Sequence, residues 1–203
     1  IAPDRIRALS NAAQFTVFTP GSDAGIPVSI LASLKVPEIP WESNKELLRE
    51  KISGTVTAIL GLVGLTDIDP VRSREHILLA NLFENVWTQG KALDLAGLIH
   101  AVQAPPFERI GVMDLEFFFP AKERLALAMR INNLLAAPGF ESWMEGDPMD
   151  IDRMLHTPQG KPRASIFTIS HLSDPERMFF VSMLLNEILG WMRTQAGTSS
   201  LRA

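Results

Sequence analysis

The sequence predicts a mainly α chain with a few strands, built as a helical insertion within an α/β sheet. Three observations predict it. Four or five amphipathic helical segments lie between residues 43 and 156. A β-type run, Gln14 to Thr19 (QFTVFT), precedes them, and a second, Ala164 to Leu172 (ASIFTISHL), follows them. The second run feeds directly into a capped apolar helix, and strand-then-helix is the repeating unit of α/β proteins.

Each element has a local reason. Pro3 to Leu9 suits a short helix, with Pro3 and Asp4 in its first turn. Pro20-Gly-Ser-Asp-Ala-Gly25 stops the first strand, because Pro and Gly break regular structure. Ile30 to Pro40 is an apolar connector. Ser43-Asn-Lys-Glu46 fits a capping box, and Leu47, Leu48, Ile52, Val56, Ile59, Leu60 and Val63 then trace one buried helical face. Asp69-Pro70 fits the N-cap and first position of the next helix, which carries Ile77, Leu78, Leu82, Phe83 and Val86 to about Gly90. Leu93 to Val102 is a shorter helix. Pro120 opens another, with Leu125, Leu127, Ala128, Ile131, Leu134 and Leu135, ending at Pro138-Gly139. Asp150 to His156 is a further short turn, and Thr157 to Arg163 reads as the least regular stretch. Ser173-Asp-Pro-Glu176 caps the last helix, which runs to about Gln195. Its apolar residues, Met178 to Met192, cover most of its circumference, so burial on more than one side is expected.

The composition excludes several classes. The 203 residues hold no cysteine, which rules out disulfides and thiolate chemistry and fits a cytoplasmic protein. The net charge is −4 and no long Lys/Arg run occurs, so this chain alone is not a DNA-binding surface by charge. No uninterrupted apolar run reaches roughly 18 residues, so no membrane span is expected. The chain opens on Ile1 rather than Met and stops at Ala203 just after a helix, and it is expected to be a piece of a longer protein.

Chemistry-bearing patterns are sparse. A phosphate loop needs Gly-rich backbone followed by Lys-Ser/Thr. The Gly-Lys pairs here, Gly90-Lys91-Ala92 and Gly160-Lys161-Pro162, lack that Ser or Thr and follow no strand. Ile110 to Glu116 carries Asp114 and Glu116 after an apolar run, as in Mg²⁺-holding strands of nucleotide hydrolases. An apolar connector ahead of a helix start is the reading preferred here. His76, His100, His156 and His171 show no metal-binding spacing. Ser170 and His171 are adjacent on a strand and so point to opposite faces, which excludes a dyad between them. Arg177 and Arg193 stand off the apolar surface of the last helix, where solvated ion pairs are usual. No catalytic, nucleotide-binding or metal-binding residue is assigned.

Several segments resemble one family. Phe18-Thr-Pro-Gly-Ser-Asp-Ala-Gly-Ile-Pro-Val-Ser29 looks like the strand end and Thr-Pro-Gly-Ser loop of the HerA-like bacterial ATP-binding proteins. Phe118-Phe119-Pro120 with Arg124 and Asn132-Asn133-Leu134-Leu135 is similar too. So are Trp143 with Gly146, the strand–helix Ser165 to Phe180, and the closing Trp191-Met192-Arg193 with Gly197 to Arg202. The resemblance implies a RecA-like P-loop motor domain of the HerA–FtsK type. Such a motor is a hexameric ring that hydrolyses ATP with Mg²⁺ and moves double-stranded DNA, in some cases with a partner nuclease. It also implies that the Walker-A loop lies upstream of this chain and the Walker-B strand directly after it. One domain fragment is then expected: residues 1–30 as strand and loop of the sheet, 31–157 as helical insertion, 164–203 as strand plus long helix. On that expectation the chain alone is inactive, and ATP and Mg²⁺ belong to the parent. The alternative is a non-enzymatic helical interaction or regulatory module, which accounts for the helices but not for the strand before Ser173.

Overall fold

Two strands far apart in sequence lie side by side. β1 (Gln14–Phe18) and β6 (Arg163–Phe167) pair in parallel, with Gln14 opposite Arg163 and Phe18 opposite Phe167. The computed structural model describes residues 3–30, 34–37 and 39–195. The remaining elements are α1 (Pro3–Ala12), β2 (Val28–Ser29), α2 (Lys45–Leu62), α3 (Arg74–Thr88), α4 (Leu95–Gln103), β3 (Arg109–Ile110), β4 (Met113–Asp114), α5 (Leu115–Phe118), α6 (Ala121–Ala136), β5 (Asp147–Pro148), α7 (Ile151–Leu155) and α8 (Asp174–Thr194). The chain is thus mainly helical with three two-stranded sheets among the described residues. β2 pairs with β5 in parallel, and β3 with β4 in an antiparallel hairpin.

Strand alternation gives the β1–β6 pair two unlike faces. Thr16 and Phe18 point to the covered face, where Phe18 stacks on Phe167 at 5.4 Å and Phe167 meets Phe180 of α8 at 5.4 Å. On the same face Ser165 Oγ donates to the Met154 carbonyl of α7. The opposite face carries Phe15, Val17 and Ile166, each about half exposed. A parallel sheet ordinarily has both faces covered, so this face is bare among the described residues.

α2 and α8 form the other main contact. Gly54 of α2 lies under Asn186, where a Cβ would come within 2.7 Å, so glycine sets the closeness of the two helices. Asn186 donates to the Lys51 carbonyl, and Lys51 pairs with Glu187 at 2.7 Å with both side chains largely buried. Breaking one partner of such a pair is costly because the other charge stays behind. α2 also buries Ile52, Val56 and Ile59, while α3 buries Leu78, Leu79, Leu82, Phe83 and Trp87. α8 itself buries Phe179, Phe180 and Met183 on one side only. Opposite them Met178, Val181, Leu185, Leu189 and Met192 are exposed.

Several local expectations shift. The Ser43 capping box does not form: the helix starts at Lys45 with Asn44 as N-cap, after a turn closed from Asn44 N–H to the Trp41 carbonyl. Asp69 does not cap α3 either. Its carboxylate accepts from Val71 N–H in a lead-in turn, and its N–H donates to Ser73 Oγ, which leaves Ser73 as N-cap. Asp94 caps α4 by accepting from Gly97 N–H, a signal the spacing of Leu93 to Val102 does not reveal. Residues 109–114 form a hairpin rather than a connector, with Gly111 at φ 59° in its two-residue turn. In α6 Leu125 is exposed and Arg124 is buried in its place. The Arg124 guanidinium donates to the Phe119 carbonyl at 2.6 Å, which draws it inward. The second strand ends at Phe167 and is half-covered rather than buried. Residues 157–161 close a tight turn, Thr157 N–H to Lys161 carbonyl, instead of running irregularly. The segment from Gly197 to Arg202, and positions 31–33 and 38 of the connector, lie outside the described residues.

His76 is fully enclosed between α2 and α3, its Nε2 3.2 Å from the Ser53 carbonyl. Burial pushes its pKa below the ordinary value, outweighing the nearby Ser53 and Pro70 carbonyls and Asp69. A lowered histidine pKa means the unfolded chain takes up the proton first. Stability is therefore full above about pH 6.5 and falls as the pH drops from there towards the folded value. Thermal melts should show a lower Tm at pH 5 than at pH 7.5, and the His76→Gln variant should lose most of that difference.

Candidate functional site

In parallel α/β sheets, ligands bind beyond the carboxyl ends of the strands, where loops meet helix starts. Here the carboxyl ends of β1 and β6 open into residues 19–26 and 168–173. The Thr-Pro-Gly-Ser loop is built by its own side chains. Thr19 Oγ1 donates to the Ser22 carbonyl and accepts from Gly25 N–H, and Ser22 Oγ accepts from Ala24 N–H. Thr19 N–H reaches the Ile26 carbonyl and closes the loop at its base.

The loop is anchored from three directions. Gly21 sits at φ 67° against the Trp143 ring, where a Cβ would approach within 2.6 Å. Trp143 in turn packs edge-on to Phe179 at 5.6 Å, and its carbonyl accepts from Ile30 N–H. Gly146, at φ 101°, lies against the Pro27 carbonyl at 2.2 Å from where a Cβ would stand. His171 Nε2 lies 2.9 Å from the Pro20 carbonyl, so the loop after β6 is tied to the loop after β1. The α8 start is fixed by Glu176, which accepts both the N–H and the hydroxyl of Ser173. Arg177 donates to the Leu172 carbonyl and pairs with Asp174.

Thr19, Gly21, Ser22, Gly25, Trp143, Gly146, His171 and Arg177 thus converge on one end of the strand pair. They come from three of the segments that carry the family resemblance: the Thr-Pro-Gly-Ser loop, Trp143 with Gly146, and the β6–α8 stretch. What they form is a braced loop. Each hydroxyl, imidazole and charged group named has a partner within the fold, and the Ser173 hydroxyl on the Glu176 carboxylate serves as the cap of α8. Asp23 and Ala24 are the exposed tip.

The other candidates fall elsewhere and do structural work. Asp114 accepts from Glu116 N–H at the start of α5. Glu116 accepts from Ala121 N–H and pairs with Arg124, so both acids brace the corner between α5 and α6. Arg74 lies over the Phe119 ring at 5.2 Å and pairs with Glu123, completing the Phe-Phe-Pro corner. The N–H groups of Gly90 and Lys91 donate to the Trp87 and Val86 carbonyls, ending α3 rather than cradling a phosphate. Gly160 lies in the 157–161 turn, its N–H bonded to the Thr157 carbonyl. Arg193 pairs with Glu50. Among the described residues no group of three His, Asp or Glu side chains is placed to hold a metal.

One Ser–His contact escaped the spacing rules because its members sit on different helices. Ser53 Oγ lies 3.4 Å from His76 Nε2. That nitrogen is nearer the Ser53 carbonyl, the other ring nitrogen has no hydrogen-bond partner among the described residues, and His76 is buried between the helices. It lacks the orienting group and the open approach of a catalytic dyad.

No helix of the described residues is long and apolar enough to cross a membrane. No protein-family model, curated protein or solved structure matches this chain.

Gly21→Ala should lose about 2 kcal/mol or more of stability in denaturant titrations, because it adds both strain at positive φ and a clash with Trp143. Gly111→Ala, also at positive φ but with nothing within 4 Å, should lose only about 1 kcal/mol. Equal losses would mean that Trp143 does not brace the loop.

Proposed function

We propose that this chain is the middle of a RecA-like motor domain of the HerA–FtsK type. On this reading the longer polypeptide hydrolyses ATP with Mg²⁺, assembles as a hexameric ring and moves double-stranded DNA in the cytoplasm. The observation that carries the reading is the β1–β6 pair. It is parallel, directly bonded, fed by a long helical excursion and, among the described residues, covered by α7 and α8 on one face only. Phe15, Val17 and Ile166 ask for further sheet and helix on the other face. The family resemblance supplies the identity of that larger sheet. The braced Thr19–Gly25 loop then serves as a rigid wall beside the strand ends rather than as a source of catalytic groups.

A non-enzymatic interaction module is the second reading. The exposed apolar stripe of α8 favours it, but it gives no reason for the parallel strands.

The 203-residue chain should show no Mg²⁺-dependent ATP binding by calorimetry, while the longer polypeptide should hydrolyse ATP faster when duplex DNA is added. Tight ATP binding by the 203-residue chain alone would sink the reading. So would a longer polypeptide with no Gly-Lys-Ser/Thr loop upstream of Ile1.

A further inference from the structure

The apolar stripe of α8 has a symmetry of its own. Met178, Val181, Leu185, Leu189 and Met192 are 67%, 37%, 59%, 40% and 55% exposed. Their spacings are three, four, four and three residues, the repeat that keeps a stripe on one side of a helix pair. At 100° per residue they fall on the side of α8 opposite Phe179, Phe180 and Met183. The order reads the same from either end: Met, a branched aliphatic, Leu185, a branched aliphatic, Met. Between Arg177 and Arg193 the only charged residue is Glu187, which is turned away from the stripe and paired with Lys51.

The bare sheet face cannot share a cover with this stripe. Phe167 on the covered face touches α8, whereas Phe15, Val17 and Ile166 lie on the far side of the strands. The stripe is the outside of α8, so the two surfaces point away from each other.

We infer that a second copy of this chain docks here, α8 against α8, antiparallel, with a two-fold axis at Leu185. Isologous contacts need a self-complementary surface. The palindrome provides it: Met178 faces Met192 of the second copy, and Val181 faces its Leu189. The helix ends agree. The side-chain charges at the two ends are matched within each chain, Asp174 by Arg177 and Arg193 by Glu50, so the antiparallel arrangement sets opposite ends of the two helix dipoles side by side without a like-charge clash. The stripe is about 21 Å long, matched to knobs-into-holes packing over four turns. Those five side chains, fully covered, would contribute roughly 500 Å² per copy and about 1,000 Å² in the pair, the lower bound for a specific interface. The inference stands apart from the motor reading, since it uses only α8.

The chain has no cysteine, so single introduced thiols test the geometry cleanly. Sedimentation of the purified 203-residue chain at roughly 50 µM should give twice its 22.4 kDa mass. Leu185→Glu, an exposed substitution, should weaken association about 100-fold and leave circular dichroism unchanged. With a short bis-maleimide, Leu185→Cys should cross-link to itself. Met178→Cys and Met192→Cys should each cross-link poorly alone and strongly when mixed. A chain that stays monomeric at that concentration overturns the inference, leaving the stripe for a different polypeptide. Efficient self-cross-linking of Met178→Cys also overturns it, because that is the parallel arrangement. So does a dimer that survives Leu185→Glu.

Discussion

Everything else in the fold is arranged around the parallel pairing of β1 with β6. Backbone hydrogen bonds between them fix the two ends of residues 19–162, and the helical excursion must leave and return within that constraint. The same pairing decides which side chains meet α8. With Phe18 opposite Phe167, Thr16, Phe18, Ser165 and Phe167 face α7 and α8, while Phe15, Val17 and Ile166 face outward. A slip of one residue in either strand would exchange that strand's two sets.

α8 is the element that turns this pairing into a packed structure. It meets the sheet through Phe180, the Thr19–Gly25 loop through Phe179 and Trp143, and the helical excursion through Asn186 and Glu187. Two glycines make these contacts possible by having no Cβ: Gly54 beneath Asn186 and Gly21 beneath Trp143. The cost of burying Lys51 and Glu187 is offset only while both are present, which ties α2 to α8 as a unit.

The helices were legible in the sequence because apolar periodicity and Pro or Gly stops are local. Their starts were less so. Asp69 looks like an N-cap, but its side chain is spent on Val71 N–H, and Ser73 takes the role. Nothing local distinguishes the two uses of the same carboxylate. Arg124 and Leu125 exchanged places because a carbonyl at the Phe119 corner captures the guanidinium, a tertiary effect that helical periodicity does not contain. Both strand runs were visible, but their pairing and their bare face were not, since alternation names two faces without saying which is covered. At the candidate site the Thr-Pro-Gly-Ser loop, Trp143 and His171 were each visible. Their convergence was not, because it depends on contacts between residues more than a hundred positions apart.

The register of β1 against β6 is the most direct test of this account, and a cysteine-free chain makes it simple. In the double variant Phe15→Cys with Ala164→Cys the two positions are direct neighbours on the bare face. Neighbouring parallel strands lie close enough for a disulfide. Mild oxidation should close an intrachain bond, seen as loss of two hydrogens in the intact mass and of both free thiols. If that pair stays reduced while Phe15→Cys with Ser165→Cys closes instead, the register is slipped, the faces are reversed, and the account of the bare face fails.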